Sequence, residues 1–267
     1  MITREIKSNI LKRFSNEDER VLVSNILDKV YRFEKSDKLE YTNFLNLNEF
    51  SIISSILNEL KIKYEVFSLN DVLNKKMIFL IPEYITIDKE FFSNYISVLK
   101  ITPNVSNKLT HKDYMGAIYN LGINHDIIGD IFVNEKEGYV FCIKNMSEFI
   151  KLNLFNVGKQ EVKVKELDIN LKEVKELKIS TEEKEIITTS LRADAVLASM
   201  YNLSRSEVKE KINKGDLYIN DKVNYYLDKP LKELDIVSFK RCGKLKIGKV
   251  IRKTRSNRYV LVVFKYV

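Results

Sequence analysis

Apolar residues recur at helical spacing early in the chain. Val21, Leu22, Ile26, Leu27, Val30 and Tyr31 fall on one face of residues 17–35, with acids in the first turn, which predicts an amphipathic helix. Residues 48–60 predict a second helix with Asn48 as its N-cap. Two strand-like runs follow, KYEVFSL and KMIFLIPEY, the second closed by Pro82. Residues 1–90 are expected to form a small N-terminal α/β domain.

The next block changes rhythm. SVLKIT reads as a strand ending at Pro103; Thr110 caps a helix that Gly122 stops. IGDIFVN and GYVFCIK are strands joined by NEKEG, residues 146–156 form a short helix, and QEVKVKEL alternates as a last strand. The order β-α-β-β-α-β predicts a ferredoxin-like domain over residues 91–168. Tyr139 and Phe141 share one strand face, as base-stacking aromatics would, but packing in the core is the expectation. Residues 169–187, dense in Lys and Glu, read as a partly ordered connector, with an added strand as the other possibility.

From residue 188 the pattern predicts a last domain. A helix over 191–200 buries Val196, Leu197 and Met200, and a second starts at Ser204, whose partner Glu207 completes a capping box. Val208 and Ile212 face inward and Gly215 ends the helix; LYIN, VNYY and LDIVSFK follow as short strands before the basic loop RCGKLKIGK. The fold class is α+β.

Charge sharpens this division. The 267-residue chain has 45 Lys and Arg against 37 Asp and Glu, a net charge of +8. Residues 186–267 hold 18 basic and 8 acidic residues, +10, leaving −2 for residues 1–185. A basic segment beside a near-neutral body is the footprint of a polyanion binder. Arg205 and Lys209, four apart, share a helix face; Arg192 begins the preceding helix and Lys214 ends the second. With Ser204, Ser206, Asn220, Lys222, Arg241, Lys244 and Lys246, they form the expected RNA-contacting set, and the reading requires its cations to share a face.

Other chemistry finds no support in the residues. None of the eight glycines are spaced G-x-G, and no P-loop pattern occurs, so a dinucleotide, S-adenosylmethionine or nucleotide cofactor is not expected. The two histidines, His111 and His125, and the two cysteines, Cys142 and Cys242, lack metal-ligand spacing, and neither histidine sits in a triad-like setting. No catalytic or metal-binding residue is assigned. The absence of a long apolar run and of an apolar leader in MITREIKSNILKRF, with so few cysteines, leads to the expectation of a cytoplasmic protein with no membrane partner.

The C-terminal segment resembles the alpha-L RNA-binding motif of the S-four domain. The matching pieces are Arg192 and Asp194 in LRAD, LSRS at 203–206, Lys214 and Gly215 in NKGDLYIN ending at Asn220, and Leu234-Asp235-Ile236. It departs at Asp221, where the motif has a glycine; Asp still suits a turn. The whole chain is similar to the YlmH family of bacterial S-four proteins through MIFLIPEY, HKDYMGAIYNLGINHDIIGDIFV and FNVGKQEVKVKE. The resemblance implies a non-enzymatic protein that binds structured RNA, ribosomal RNA with tRNA, near the large ribosomal subunit, in quality control of stalled translation. Two other classes compete: a scaffold whose basic patch meets an acidic protein, and an RNA-modifying enzyme with an accessory RNA-binding module, for which pseudouridine-synthase, methyltransferase and tRNA-synthetase motifs are lacking.

Overall fold

The structure, a computed structural model, describes residues 2–67, 74–105, 109–177 and 181–266. The chain is α+β and divides into two compact units, Met1–Lys178 and Ile179–Val267.

The first unit opens with α1 (Arg4–Leu11), α2 (Glu17–Ser36), β1 (Glu40–Tyr41), α3 (Leu47–Glu59), β2 (Glu65–Phe67) and β3 (Met77–Leu80). Asn16 caps α2, and its apolar face buries Val23, Ile26, Leu27 and Val30 against Ile53, Ile56 and Leu57 of α3. The cap of α3 is Asn46 rather than Asn48: Asn46 Oδ1 accepts from Glu49 N at 3.0 Å, and Glu49 Oε2 accepts from Asn46 N at 2.7 Å. This reciprocal pair satisfies two end donors at once, which a cap at Asn48 cannot do. The strands pair antiparallel in the order β1-β3-β2.

The same unit continues with β4 (Ile96–Pro103), α4 (His111–Tyr119), β5 (Ile128–Val133), β6 (Gly138–Ile143), α5 (Lys144–Asn153), β7 (Asn156–Val157), β8 (Gln160–Leu167) and α6 (Lys172–Lys175). The sheet order is β5-β6-β4-β8-β7, with every neighbouring pair antiparallel. Tyr114 and Ile118 of α4 and Ile150 of α5 cover one sheet face, against Leu99, Ile101, Val140 and Cys142.

Tyr139 and Phe141 lie on the other face and are buried, as core packing requires. Phe141 reaches Phe132 there, and the Phe44 ring seats at Gly129, where a Cβ would stand 2.8 Å from both Phe44 Cε1 and Phe141 Cβ. Polar ties join the same blocks: Phe44 N donates to Asp126 O at 2.8 Å, and Lys75 Nζ to the carbonyls of His125 and Ile128 at 2.8 and 2.6 Å. The residues on either side of position 90 thus pack into one unit, because the apolar sheet face of the later block needs the earlier block to cover it.

The second unit holds β9 (Thr181–Thr188), α7 (Ala193–Tyr201), α8 (Arg205–Asn213), β10 (Leu217–Ile219), β11 (Lys222–Val223), β12 (Ile236–Phe239), β13 (Gly243–Lys253) and β14 (Tyr259–Tyr266). They form one antiparallel sheet, β11-β10-β12-β13-β14-β9. Val196, Leu197, Val208 and Ile212 of the helices pack on Leu217, Val237, Phe239, Leu245, Ile247, Leu261 and Val263. The latter half of the segment read as a connector is the added strand: all eight residues of β9 pair with β14. Its Ile186 joins the core, which a loose linker would leave in water.

Candidate nucleic-acid interface

Helices α7 and α8 form the layer that bears most of the expected contacts. Asn202 ends α7 in the left-handed region at φ 52°, turning the chain within three residues to the α8 cap. Ser204 Oγ accepts from Glu207 N at 3.2 Å and donates to Glu207 Oε2 at 2.6 Å; Ser204 N donates to the same oxygen at 2.8 Å. Those hydrogen bonds hold the Glu207 carboxyl below its ordinary pKa. Ser206 Oγ lies 3.0 Å from Ser204 Oγ, so both serines are exposed but serve the helix start.

Asp194 organises the arginines. Its side chain is 10% exposed and its carboxylate takes Arg192 Nε at 3.1 Å, Arg192 Nη2 at 3.2 Å and Arg205 Nη1 at 2.6 Å. Ala195 N donates to Oδ1 at 2.8 Å, and Arg205 Nη2 donates to Thr189 Oγ1 at 2.9 Å. The two guanidinium side chains remain 47% and 51% exposed. A guanidinium has five N–H donors, and each arginine uses two here, leaving outward donors fixed in direction. The sequence places Arg192 and Arg205 in the contacting set and Asp194 only among the pieces of the motif; that its carboxylate aims both arginines is not legible there, since residues 194 and 205 meet only through the packing of two helices.

Lys209 is exposed one turn beyond Arg205. Lys214 Nζ contacts Glu210 Oε1 at 2.6 Å; that hydrogen bond raises its pKa, while the charge of nearby Arg241 works against it. Arg241, at φ 66° in the three-residue turn between β12 and β13, is therefore close to the C-terminal end of α8.

The strand-borne residues divide. Asn220 and Asp221, at φ 52° and 61°, make the two-residue turn that joins Ile219 to Lys222. Two successive positive φ values define a type I′ hairpin, so Asp221 adopts the conformation that usually selects glycine. The Asn220 side chain is committed internally: Nδ2 donates to Asp235 Oδ1 at 2.9 Å, and Oδ1 accepts from Ile236 N at 2.9 Å. Lys222 pairs with core-facing Ile219 and so lies at the sheet edge on the helix side. Lys244 and Lys246 alternate with core residues Leu245 and Ile247, so they point to the face opposite the helices. Lys244 sits over the Tyr266 ring at 5.6 Å and 4.0 Å from Asp221 Oδ1. The structure thus gathers Arg192, Arg205, Lys209, Lys214, Lys222 and Arg241 on the helix side or its rim and separates Lys244 and Lys246 from them. The separation follows from the period-two pleat of β13, which the reading of residues 241–246 as one basic loop overlooks.

A denser basic run lies outside the expected contacting set. Residues 249–258, KVIRKTRSNR, hold Lys249, Arg252, Lys253, Arg255 and Arg258 and no acid. A simple count of charge in a ten-residue window identifies it.

Elsewhere, His125 packs its ring 3.9 Å from that of Tyr119. Burial pushes the Cys142 thiol up to about 12. Among the described residues no group of three His, Cys, Asp or Glu side chains could hold a metal ion, and no helix is long and apolar enough to cross a membrane.

An α+β protein with a cationic module, arginines anchored on a shared buried carboxylate, has the charge and geometry expected of a polyanion binder. Comparison with known proteins narrows the class. Residues 90–186 match the family described as "Putative RNA-binding domain in YlmH". The chain is 24% identical over 252 residues, 94% of its length, to "Ribosome-associated protein quality control protein P2" of Bacillus subtilis (strain 168), of which the match covers 96%. Its fold is similar to that of "Cell division protein ylmH from Streptococcus pneumoniae", with a TM-score of 0.50, 17% identity, and coverage of 60% of this chain and 96% of that one. Residues 90–186, about a third of the chain, are thus similar to the YlmH family, and the fold is similar to that of a YlmH protein.

Proposed function

We propose that this protein is a non-enzymatic RNA-binding factor that acts on the ribosome in quality control of stalled translation. The observation that carries the reading is the pair of half-exposed arginines, Arg192 and Arg205, clamped by Asp194 beside the free-standing helix face of Lys209. Pre-aimed guanidinium forks suit phosphate oxygens, and a fixed array of them suits a folded RNA whose phosphates hold fixed positions. The match of residues 90–186 to an RNA-binding family and the ribosome-associated quality-control name of the Bacillus subtilis relative support it.

In this reading residues 188–267 are the S-four module with its alpha-L motif. The first unit's later block is a ferredoxin-like domain; its sheet, with the first strand central between the third and fourth, supports that assignment. The first unit supplies a second contact that adds avidity through the covalent link. The target is ribosomal RNA of the large subunit with tRNA, and the setting is cytoplasmic.

Filter binding of the full chain to purified ribosomal RNA tests the proposal. If Arg192, Arg205, Lys209 and Lys214 each meet a phosphate, log K falls against log salt with a slope of about −3 to −4. Arg205→Glu with Lys209→Glu should abolish both binding and co-sedimentation with large ribosomal subunits. Co-sedimentation that survives the double reversal would instead support the scaffold reading, in which the module meets an acidic protein.

A further inference from the structure

Beyond Lys246 β13 runs past the end of β12, while β14 stays paired with β9 as far as Tyr259↔Thr188, so the β13 side of the hairpin is an open edge and residues 254–258 project as its tip. Register passes from Ile247↔Val263 to Val250↔Leu261 and then to Arg252↔Val260, so β13 gains one residue at each of two steps. Such bulges bend and twist a ribbon. Gly248 permits the first: a Cβ there would lie 2.9 Å from the Val262 carbonyl oxygen and 3.0 Å from Phe264 Cε2. The tip is tied by Thr254 N to Arg258 O at 2.8 Å, Asn257 N to Thr254 O at 2.9 Å, and Arg258 N to Thr254 Oγ1 at 3.1 Å.

This hairpin presents Lys249, Arg252, Lys253, Arg255 and Arg258, all exposed. Several other cations of the unit are paired with a nearby carboxylate: Arg192 and Arg205 with Asp194, Lys214 with Glu210, Lys211 with Asp216. No carboxylate of the described residues makes an ion pair with any of the five hairpin cations; Lys253 instead sits 4.7 Å over the Tyr259 ring. Clustered like charges repel and destabilise a ribbon unless an outside anion relieves them. Five uncompensated cations on a bent, internally bonded hairpin are built for an external polyanion.

We propose that the distal β13–β14 hairpin is a further RNA contact, made by residues outside the α7–α8 set, that grips the phosphate backbone of a double-stranded RNA segment. This rests on the RNA-binding reading above. From residue 249 to 254 the ribbon extends roughly 17–20 Å at about 3.3 Å per residue, enough to place several cations along one strand of phosphates. An A-form duplex closes its major groove to side chains and is contacted through phosphates and the shallow minor groove, which suits a charge-bearing ribbon with no base-reading requirement. Three of the five cations are arginines, whose planar forks bind phosphate oxygens bidentately.

The test uses the full chain, a labelled RNA stem–loop with a stem of about 16 base pairs, and the combined variant Lys249→Gln, Arg252→Gln, Arg255→Gln and Arg258→Gln. Binding should weaken about tenfold or more, and the salt slope should become shallower by about 3. A companion with Arg252, Arg255 and Arg258 changed to Lys should keep the slope. The exposed positions leave the core untouched, and circular dichroism checks it; if the fourfold variant unfolds, Arg255→Gln with Arg258→Gln at the tip serves instead. Affinity and slope equal to the parent would overturn the hairpin proposal and leave the α8 reading standing. Displacement of the RNA by poly-L-glutamate at equal charge concentration would also overturn it, in favour of an acidic protein partner. Failure of the parent chain itself to bind at low salt would instead strike the RNA-binding reading on which both rest.

Discussion

Asp194 Oδ2 lies 2.6 Å from Arg205 Nη1, joining the first turn of α7 to the first turn of α8 across eleven residues of chain. The same carboxylate holds Arg192. The pairing removes one charge from the surface yet gives two guanidiniums a fixed heading. Charge counting and geometry therefore make opposite forecasts for its loss.

Asp194→Asn raises the module's net charge by one, so charge alone forecasts tighter RNA binding. Geometry forecasts weaker binding, because two long side chains lose their anchor, and weaker binding is the expected result in a filter-binding titration. Stability should fall by about 1–2 kcal/mol in urea unfolding. That is less than the roughly 3–5 kcal/mol for breaking a fully buried pair, since water reaches both arginines.

Gly248→Ala forces a Cβ toward the Val262 carbonyl oxygen and the Phe264 ring. Backbone cannot retreat as a flexible side chain can. A loss of about 1–3 kcal/mol is expected in thermal or urea unfolding, compared with a loss within about 0.5 kcal/mol for an exposed substitution such as Ser256→Ala.

Glu166 couples the first unit to pH. Burial disfavours its charge, but Lys144 Nζ at 2.7 Å and Ser97 Oγ at 2.6 Å outweigh that and hold its pKa below the usual value. A carboxyl depressed by folding stabilises the folded state above its unfolded pKa, about 4.3, and the contribution is lost as pH falls through the folded value. The urea midpoint of the parent should drop between about pH 5 and pH 3, and Glu166→Gln should show a flatter profile over the same window.

Cys142 is buried with its thiol pushed up to about 12, whereas Cys242 is only partly buried. Thiolate is the reactive form. Alkylation of native protein at neutral pH should modify Cys242 alone, with Cys142 reacting only after denaturant is added; mass spectrometry of peptides distinguishes them.

Much of this architecture was legible because its causes are local. Ser204 and Glu207 stand three apart, and the capping box they predict is present. The periodicity of Val196, Leu197, Val208 and Ile212 identified the buried face of both helices. What escaped depends on distant partners. Asp194 looks like an ordinary first-turn acid until α8 brings Arg205 to it. The Glu-rich start of β9 reads as a partly ordered connector or an added strand, and its pairing with β14 decides for the strand. Lys244 and Lys246 share a short basic run with Arg241, but their side is decided by Leu245 and Ile247 reaching the core. The cations of residues 249–258 are plain in the sequence; the structure adds that none of them forms an ion pair with a carboxylate of the described residues.

The pairing of β9 with β14 sets an order of events. Thr188 meets Tyr259 and Thr181 meets Tyr266, partners 71 and 85 positions away. As the polypeptide emerges from N to C, Ile186 cannot find its neighbour until the last hairpin has been made. Contacts of such long sequence separation are slow to form. Closure of this sheet is therefore a late, slow step of biogenesis, and until it happens an unpaired edge is left open to stray strands.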